Sequence, residues 1–219
     1  FGKANYVAAL ANLRTALAIN ESVLGRDHPD TATVQHHIGK VLFNKGDYDA
    51  ALEEYHQALA IRKSMLGRQH PITASTYSNI GTVRCIQGDY DGALAEHQRV
   101  LSIRESALGM KHPDTAAAHN NIGAVYFRQG KYTKALAAYQ RALEIREAVL
   151  GHEHPDTAAS YNNLGSVLCA RGEYGGGLAK FRTALAIKES VLGTDHPETA
   201  DAHNSLGNVL GDEGKHTQA

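Results

Sequence analysis

The stretch Leu-Gly-His-Glu-His-Pro-Asp-Thr-Ala, residues 150–158, decides the fold because versions of it recur every 42 residues. The Leu-Gly pair lies at residues 24–25, 66–67, 108–109, 150–151 and 192–193, and a His-Pro pair follows each one at the same distance. A second turn signal, Gly followed by a charged residue and Tyr, lies at residues 46–48, 88–90, 130–132 and 172–174. Two turn signals per period predict two elements per repeat, and a period of about 20 to 50 residues is typical of a solenoid.

Both elements of the repeat are predicted to be helices. Helix A starts at a proline such as Pro29, where the missing N–H costs nothing. Its apolar side chains recur at helical spacing in Val34, Ile38, Val41 and Leu42. Helix B follows the same rule in Ala51, Leu52, Tyr55, Ala58 and Leu59. Gly67 supplies the left-handed residue that ends helix B.

The order of these elements predicts an all-α solenoid, a single array over residues 1–219. It comprises a half repeat at 1–25, full repeats at 26–67, 68–109, 110–151 and 152–193, and a half repeat at 194–219. Because the last segment stops where another helix B should begin, we expect a fragment of a longer array. The ends of such an array leave apolar side chains uncovered, so weak end-to-end self-association is also expected.

Residues 119–139 resemble the tetratricopeptide repeat. The matching positions are His119, Ile122, Gly123 and Tyr126, followed by Ala135 and Tyr139. That repeat usually has a period of about 34 residues, and the longer period here is similar to that of kinesin light chain cargo-binding arrays. The resemblance implies a right-handed superhelix of antiparallel helix pairs. It also implies a concave groove, lined by the A helices, that receives an extended or helical peptide of a partner protein.

The face of helix A opposite its apolar stripe carries amide side chains. In the third full repeat this face holds Ala117, Asn120, Asn121, Ala124, Phe127 and Arg128. Across the repeats, the predicted groove residues are His37, Lys40, Asn79, Asn120, Asn121, Arg128, Asn162, Asn163 and Asn204. An Asn side chain both donates and accepts, which suits binding to the main chain of a peptide without selecting its sequence.

A structural role for the same amides is an alternative, because an Asn in mid-helix can hydrogen-bond the adjacent helix and fix the repeat spacing. A clamp for a terminal carboxylate is not favoured. Lys40 and Arg128 are the basic residues of this face, whereas Asp201 and Asp212 are acidic. Arg84 replaces Leu or Tyr at its position, and its charge is predicted to reach either solvent or an acidic ligand.

The composition limits the classes of partner. The chain has 22 basic and 23 acidic residues and a formal charge of -1, so nucleic acid and anionic membranes are not expected partners. No stretch approaches the ~18 apolar residues of a membrane span, so the chain is expected to be soluble. Cys85 and Cys169 lie two repeats apart and are predicted to be reduced thiols, which favours the cytoplasm.

No catalytic, metal or cofactor site is predicted. The five His-Pro histidines are a repeat apart, and His36, His37, His152 and His154 lack the helical spacing of zinc ligands. The predicted function is a non-catalytic protein-interaction scaffold, similar to the cargo-binding domain of kinesin light chains. The alternative is a spacer or self-assembly module of a signalling protein that makes its contacts through its end faces.

One local departure from the repeat is the run Gly175-Gly176-Gly177 at the start of a helix B. Each glycine in a helix costs up to ~1 kcal/mol relative to Ala. The first turn of this helix is therefore expected to be weak.

Overall fold

The computed structural model describes the backbone of residues 3–216 and the side chains of residues 5–211. Within these residues there are ten α-helices and no strand, so the predicted all-α fold with two helices per repeat is confirmed. The chain divides into two compact units, Phe1–Ala107 and Leu108–Ala219.

The first unit is built from five helices. They are α1 (Lys3–Val23), α2 (Pro29–Lys45), α3 (Tyr48–Met65), α4 (Pro71–Ile86) and α5 (Tyr90–Leu108), whose last residue belongs to the second unit. Helices α2 and α4 are A helices, and the other three are B helices. Helix α1 packs on α2, α2 on α3, and α3 on α4. Tyr55, Tyr77, Ile38 and Ile80 are among its largest fully buried or nearly buried side chains.

The second unit repeats the same arrangement. Its helices are α6 (Pro113–Arg128), α7 (Tyr132–Leu150), α8 (Pro155–Ala170), α9 (Tyr174–Leu192) and α10 (Pro197–His216). Each packs on the next one along the chain. Tyr139, Leu143, Tyr161, Leu164 and Val167 form part of one buried cluster.

A histidine caps the N-terminus of every A helix. In α2, the Nδ1 atom of His28 accepts a hydrogen bond from the backbone N–H of Asp30 at 3.2 Å, ahead of Pro29 at the first helical position. The same bond forms at His70, His112, His154 and His196, at 3.1 to 3.2 Å. The imidazole takes the capping role that Ser, Thr, Asp or Asn usually has. The histidines that the sequence predicted only as turn residues therefore help to start each A helix.

A buried threonine joins each A helix to the loop before it. The Oγ1 atom of Thr31 donates to the carbonyl oxygen of Gly25 at 2.9 Å, and Thr73 donates to Gly67 in the same way. The bond recurs in the second unit at Thr115, Thr157 and Thr199. Gly67 has a φ of +92°, which confirms the positive φ predicted at the end of helix B. The end of one repeat and the start of the next are thus held by the same bond each time.

A glycine in the middle of α2, α4, α6 and α8 lets the following B helix approach closely. A Cβ atom on Gly39 would lie 2.7 Å from Cε1 of Tyr55, and one on Gly123 would lie 2.7 Å from Cδ1 of Tyr139. These distances are too short for carbon atoms, so any larger residue would push the helices apart. His97 opposite Gly81 and Phe181 opposite Gly165 occupy the equivalent places.

The glycine run lies in the first turn of α9, which begins at Tyr174. A Cβ on Gly175 would meet no atom within 4 Å, and one on Gly176 would lie 3.6 Å from Leu168 Cδ1. A Cβ on Gly177 would instead lie 3.0 Å from the Gly165 carbonyl oxygen and would overlap Sγ of Cys169. Of the three glycines, Gly177 is therefore the one that the packing of α9 on α8 requires.

Candidate functional site

The nine predicted groove residues all lie on A helices and reach the surface to different extents. His37, Lys40, Arg128 and Asn204 are exposed, whereas Asn79, Asn120, Asn121, Asn162 and Asn163 are partly exposed. Partial burial of His37, followed by the charge of Lys40, lowers the pKa of that imidazole. His37, Lys40 and Asn79 belong to the first unit and the other six to the second.

In the first unit, Asn79 on α4 contacts a buried histidine of α2. Its Nδ2 atom lies 3.1 Å from Nε2 of His36, which is 7% exposed. The other ring nitrogen, Nδ1, lies 3.2 Å from Nη1 of Arg62. Burial, and then the charge of Arg62, lowers the pKa of His36 to about 4, so the ring is neutral at pH 7. Because Arg62 can only donate, Nδ1 of His36 accepts and the proton of the neutral ring lies on Nε2. Nε2 then donates to the side-chain oxygen of Asn79, which requires the Asn79 amide to be flipped by 180°.

In the second unit, Asn163 on α8 donates through Nδ2 to Oδ1 of Asn120 on α6 at 2.6 Å. Asn163 and Asn79 occupy the same position of the repeat, as do Asn120 and His36. The structural role left open by the sequence is therefore present at both positions. Each bond ties one A helix to the next A helix of its unit.

The amide face keeps unused hydrogen-bonding capacity. The side chains of Asn162 and Asn204 make no hydrogen bond to any residue within the described part of the chain. Asn163 uses its nitrogen in the bond to Asn120, and its side-chain oxygen stays available for a ligand. The side chain of Asp212, predicted on the same face, lies outside the described residues.

Part of the predicted face also packs on the following B helix. Phe127 packs on Tyr132 of the following B helix, with ring centroids 5.8 Å apart, and Phe43 packs on Tyr48 at 5.7 Å. Cys85, at the same position of the repeat, is buried. Phe43, Phe127 and Cys169 stay partly exposed, so the first turn of helix B covers this position of the repeat only in part.

Arg84, whose role the sequence left open, is paired within its own unit. Its Nε atom lies 3.8 Å from Oδ2 of Asp89, and its Nη1 atom lies 3.9 Å from Oε1 of Glu96. Both carboxylates lie at or near the following B helix. The charge of Arg84 is therefore compensated by acidic side chains of the chain itself.

A buried cation near the end of helix B is a feature that the sequence analysis missed. Arg146 is 8% exposed and donates from Nη1 to the carbonyl oxygen of Asp156 at 2.9 Å and to Oγ of Ser160 at 2.7 Å. Arg62 makes the same bond to Thr76, and Lys188 reaches the carbonyl oxygen of Glu198. Burial lowers the pKa of both arginines. The sequence did contain a pattern that could have predicted this feature. A basic residue recurs at the same position of the repeat, directly after an apolar stretch of helix B.

His97 is a second missed feature. It is 2% exposed, and its ring packs against Gly81 where other repeats have Tyr or Phe. Burial, and then the charge of Arg104, lowers the pKa of His97 to about 4. The ring is therefore a neutral part of the core at pH 7.

The described residues were also compared with the requirements of metal sites and membrane spans. Among them, no group of three or more His, Cys, Asp or Glu side chains could hold a metal ion. None of the described helices is both long and apolar enough to cross a membrane.

Comparisons with known proteins agree with this architecture. The model of the tetratricopeptide repeat family matches residues 2–64, 30–106, 72–148, 114–175 and 156–219. A comparison with curated protein sequences finds no significant match.

Several solved structures share the fold. BtubC (BKLC) from P. vanneervenii has a TM-score of 0.76 at 23% identity, over 88% of this chain and 76% of that one. A putative kinesin light chain of Podosopora anserina with nearly identical TPR-like repeats has a TM-score of 0.70 at 22% identity, over 84% and 88%. MamA has a TM-score of 0.57 at 18% identity, over 86% and 91%.

The family model and the helix pairs lead to the same assignment. The matched segments overlap and together span residues 2–219. At identities of 18 to 23% the solved structures support the fold alone. This repeat is generally a non-catalytic scaffold for protein–protein interaction. The chain therefore belongs to the tetratricopeptide repeat family.

Proposed function

We propose that the chain is a non-catalytic scaffold that binds a peptide segment of a partner protein along the amide face of its A helices. The observation that carries the proposal is the unused hydrogen-bonding capacity of Asn162 and Asn204 on that face. A peptide main chain offers N–H and C=O groups, which amides bind without selecting a sequence. Cys85 and Cys169 stay reduced in the cytoplasm, which is the compartment that we propose.

The amides have two roles in this proposal. Asn79 and Asn163 hold successive A helices together within their units, which fixes the spacing of the face. Asn162 and Asn204 then bind the ligand from a prepared position. Because fewer groups must be ordered on binding, such preorganisation strengthens the interaction.

A matched pair of variants tests this division. Peptides selected from a random library for binding to the chain serve as ligands, and their affinity is measured by isothermal titration calorimetry. We expect Asn162→Ala to weaken binding by about 1 kcal/mol, roughly fivefold, without lowering the melting temperature. We expect Asn163→Ala to lower both the affinity and the melting temperature, because it also removes the bond to Asn120.

The control variant lies on a B helix. Gln140→Ala changes an exposed amide of α7 that does not belong to the amide face. It should bind the selected peptides as the unaltered chain does. If the peptides lose affinity for Gln140→Ala and keep it for Asn162→Ala, the binding face is not the one proposed.

Self-assembly through the end faces is a second candidate function. Val7 on α1 is 65% exposed and Leu210 on α10 is 44% exposed. Exposed apolar side chains of this kind favour contact with another protein surface. In this reading the repeats act as a spacer, and the partner is a second copy of the chain.

A further inference from the structure

The end of helix B carries a glutamate in all repeats but one. The residues are Glu21, Glu105, Glu147 and Glu189, whereas the first full repeat has Lys63 at this position. In the second unit, Oε1 of Glu147 accepts a hydrogen bond from the hydroxyl of Tyr161 at 2.5 Å. Oε1 of Glu189 likewise lies 3.2 Å from Nε2 of His203. A carboxylate thus meets the ring of the next A helix in both cases.

Tyr77 lacks this carboxylate. It is equivalent to Tyr161, but Lys63 occupies the place of Glu147. Tyr77 is 2% exposed, and its hydroxyl makes no hydrogen bond to any residue that the structure describes. The hydroxyl oxygen is not one of the buried side-chain atoms that lack a partner, so it reaches the space beside it and can donate a hydrogen bond to a ligand bound there.

A basic pocket lies at the same place. It has a volume of about 260 Å³ and is lined by Lys63, Arg68, Gln69, Tyr77 and Arg99. The guanidinium of Arg99 lies over the Tyr77 ring, 4.7 Å from its centroid. Arg99 also pairs with Glu96 at 3.2 Å. Lys63 and Arg68 form no ion pair with any carboxylate of the described residues, so the pocket carries an excess of positive charge.

We propose that this pocket binds an oxyanion, either a carboxylate or a phosphate group. The Tyr77 hydroxyl and the charges of Lys63 and Arg68 hold the ligand, whose oxygen takes the place that Glu147 has beside Tyr161. Charge-assisted hydrogen bonds of this kind are among the stronger ones in proteins. Tyr77 lies two residues before Asn79 and so projects from a different side of α4. The site is therefore separate from the amide face and does not depend on peptide binding there.

The proposal is tested with two small anions at constant ionic strength. Glutarate carries the carboxylate of a glutamate side chain, and inorganic phosphate is the other source of the same chemistry. The chain is labelled with ¹³C in its tyrosine rings, and the Tyr77 signal is assigned from Tyr77→Phe. We expect at least one anion to shift the Tyr77 signal in a saturable way. The tighter of the two shows whether the site prefers carboxylate or phosphate.

Two variants locate the anion. Lys63→Glu restores the residue found in the other repeats, and its own carboxylate should accept from Tyr77 and exclude the ligand. Because the second unit already contains this arrangement, we expect the variant to fold. Anion affinity should fall about tenfold or more. Tyr77→Phe keeps the ring and removes the hydroxyl, so affinity followed at the other tyrosines or by calorimetry should fall as well.

The matched control is Lys111→Glu, which makes the same change of net charge at an exposed position in the second unit. Its affinity for the anion should remain within about twofold of the unaltered chain, because Lys111 does not line the pocket and a screened charge outside it contributes little. Three results would overturn the proposal. These are a shift that never saturates, an unchanged affinity in both Lys63→Glu and Tyr77→Phe, or an equal loss in Lys63→Glu and Lys111→Glu.

Discussion

At the scale of single residues, His97 differs in chemistry from its equivalents in the other repeats. Tyr55 and Tyr139 place a ring against the glycine of their A helix, and each ring is buried. His97 fills the same space but can be protonated, and its Nδ1 atom is buried without a hydrogen-bond partner among the described residues. Protonation would place a charge in the core without a partner, which is costly.

The stability of the chain should therefore depend on pH. The unfolded chain binds a proton at His97 below pH about 6.5, whereas the folded chain binds it only below about 4. As the pH falls from about 6.5 to about 4, the chain loses about 3 kcal/mol of its free energy of unfolding through this residue. Below the lower value this loss does not increase further. His97→Phe, which copies Phe181, should remove this part of the pH dependence. The free energy of unfolding, measured with urea at pH 7.5 and 4.5, checks the prediction.

The comparison between variant and unaltered chain isolates His97 from other groups. His36 has a similarly lowered pKa and stays in both proteins, so some loss of stability on acidification should remain. If His97→Phe and the unaltered chain lose the same free energy between the two pH values, the ring of His97 is not held neutral by the fold.

The cation near the end of helix B makes a second prediction at this scale. Arg146→Met removes the charge but keeps much of the volume. It removes the hydrogen bonds that Arg146 donates to Ser160 and to the Asp156 carbonyl, and that carbonyl keeps the bond from Oγ of Ser160 at 3.3 Å. We expect a loss of about 2 to 3 kcal/mol in the free energy of unfolding. Arg146→Lys should cost less, because Lys188 already reaches the equivalent carbonyl from this position. Equal losses in the two variants, measured by urea denaturation, would contradict the assigned role of the charge.

At the scale of elements, α9 shows that identical residues within one turn have different roles. Gly175 and Gly176 have room for a side chain, whereas Gly177 lies against the backbone of α8. The same α8 residue, Gly165, faces both Phe181 and Gly177. The first turn of α9 therefore has a low helix propensity but packs closely against α8.

Alanine substitutions should separate these two effects. Gly175→Ala with Gly176→Ala should raise the free energy of unfolding by about 1 to 2 kcal/mol, because alanine restricts the unfolded chain and suits a helix. Gly177→Ala should lower it by about 1 to 3 kcal/mol through overpacking. Urea denaturation measures both.

Hydrogen exchange gives an independent measurement on the same turn. Amides of residues 173–178 should exchange faster than those of residues 131–136, the equivalent turn of α7. The difference should shrink in the double alanine variant. Equal protection in the unaltered chain would mean that packing on α8 outweighs the low helix propensity of the glycines.

At the scale of the whole molecule, the repeat period was enough to predict the helices and their pairing. Each A helix starts at a proline and each B helix ends within two residues of a glycine of positive φ, for example Pro113 and Gly151. The contacts of the predicted site were harder to predict. Asn163 and Asn162 are adjacent and identical in chemistry, yet only Asn163 has a neighbour at hydrogen-bonding distance. That choice depends on side-chain direction and helix spacing, which the period alone does not specify.

Departures from the period carried information that the sequence analysis did not use. Lys63 stands where the other repeats have glutamate, and its effect becomes visible only when Tyr161 is seen to donate to Glu147. The capping bond of His28 was missed for a similar reason. Histidine is not one of the common capping residues, so its recurrence before proline was attributed to the turn.

Self-association is the prediction that belongs to the whole molecule. Sedimentation velocity at increasing concentration should show weak association through the exposed side chains of Val7 and Leu210. Val7→Glu with Leu210→Glu should abolish it, because like charges then oppose the contact. A strictly monomeric profile of the unaltered chain at all concentrations would exclude the end-face reading.

The threonine–glycine bond between successive repeats has a consequence for how such a gene changes. Since Thr73 and Gly67 are related as Thr157 and Gly151 are, recombination between copies that adds or deletes one whole repeat leaves a correct partner on each side of the junction. A recombination event that adds or removes a few codons rather than a whole repeat would separate the threonine from its glycine. Selection on the folded chain therefore preserves the length of the unit while leaving the number of units open to variation. A duplicated unit that spans Lys63 to Arg99 would bring a second basic pocket with it.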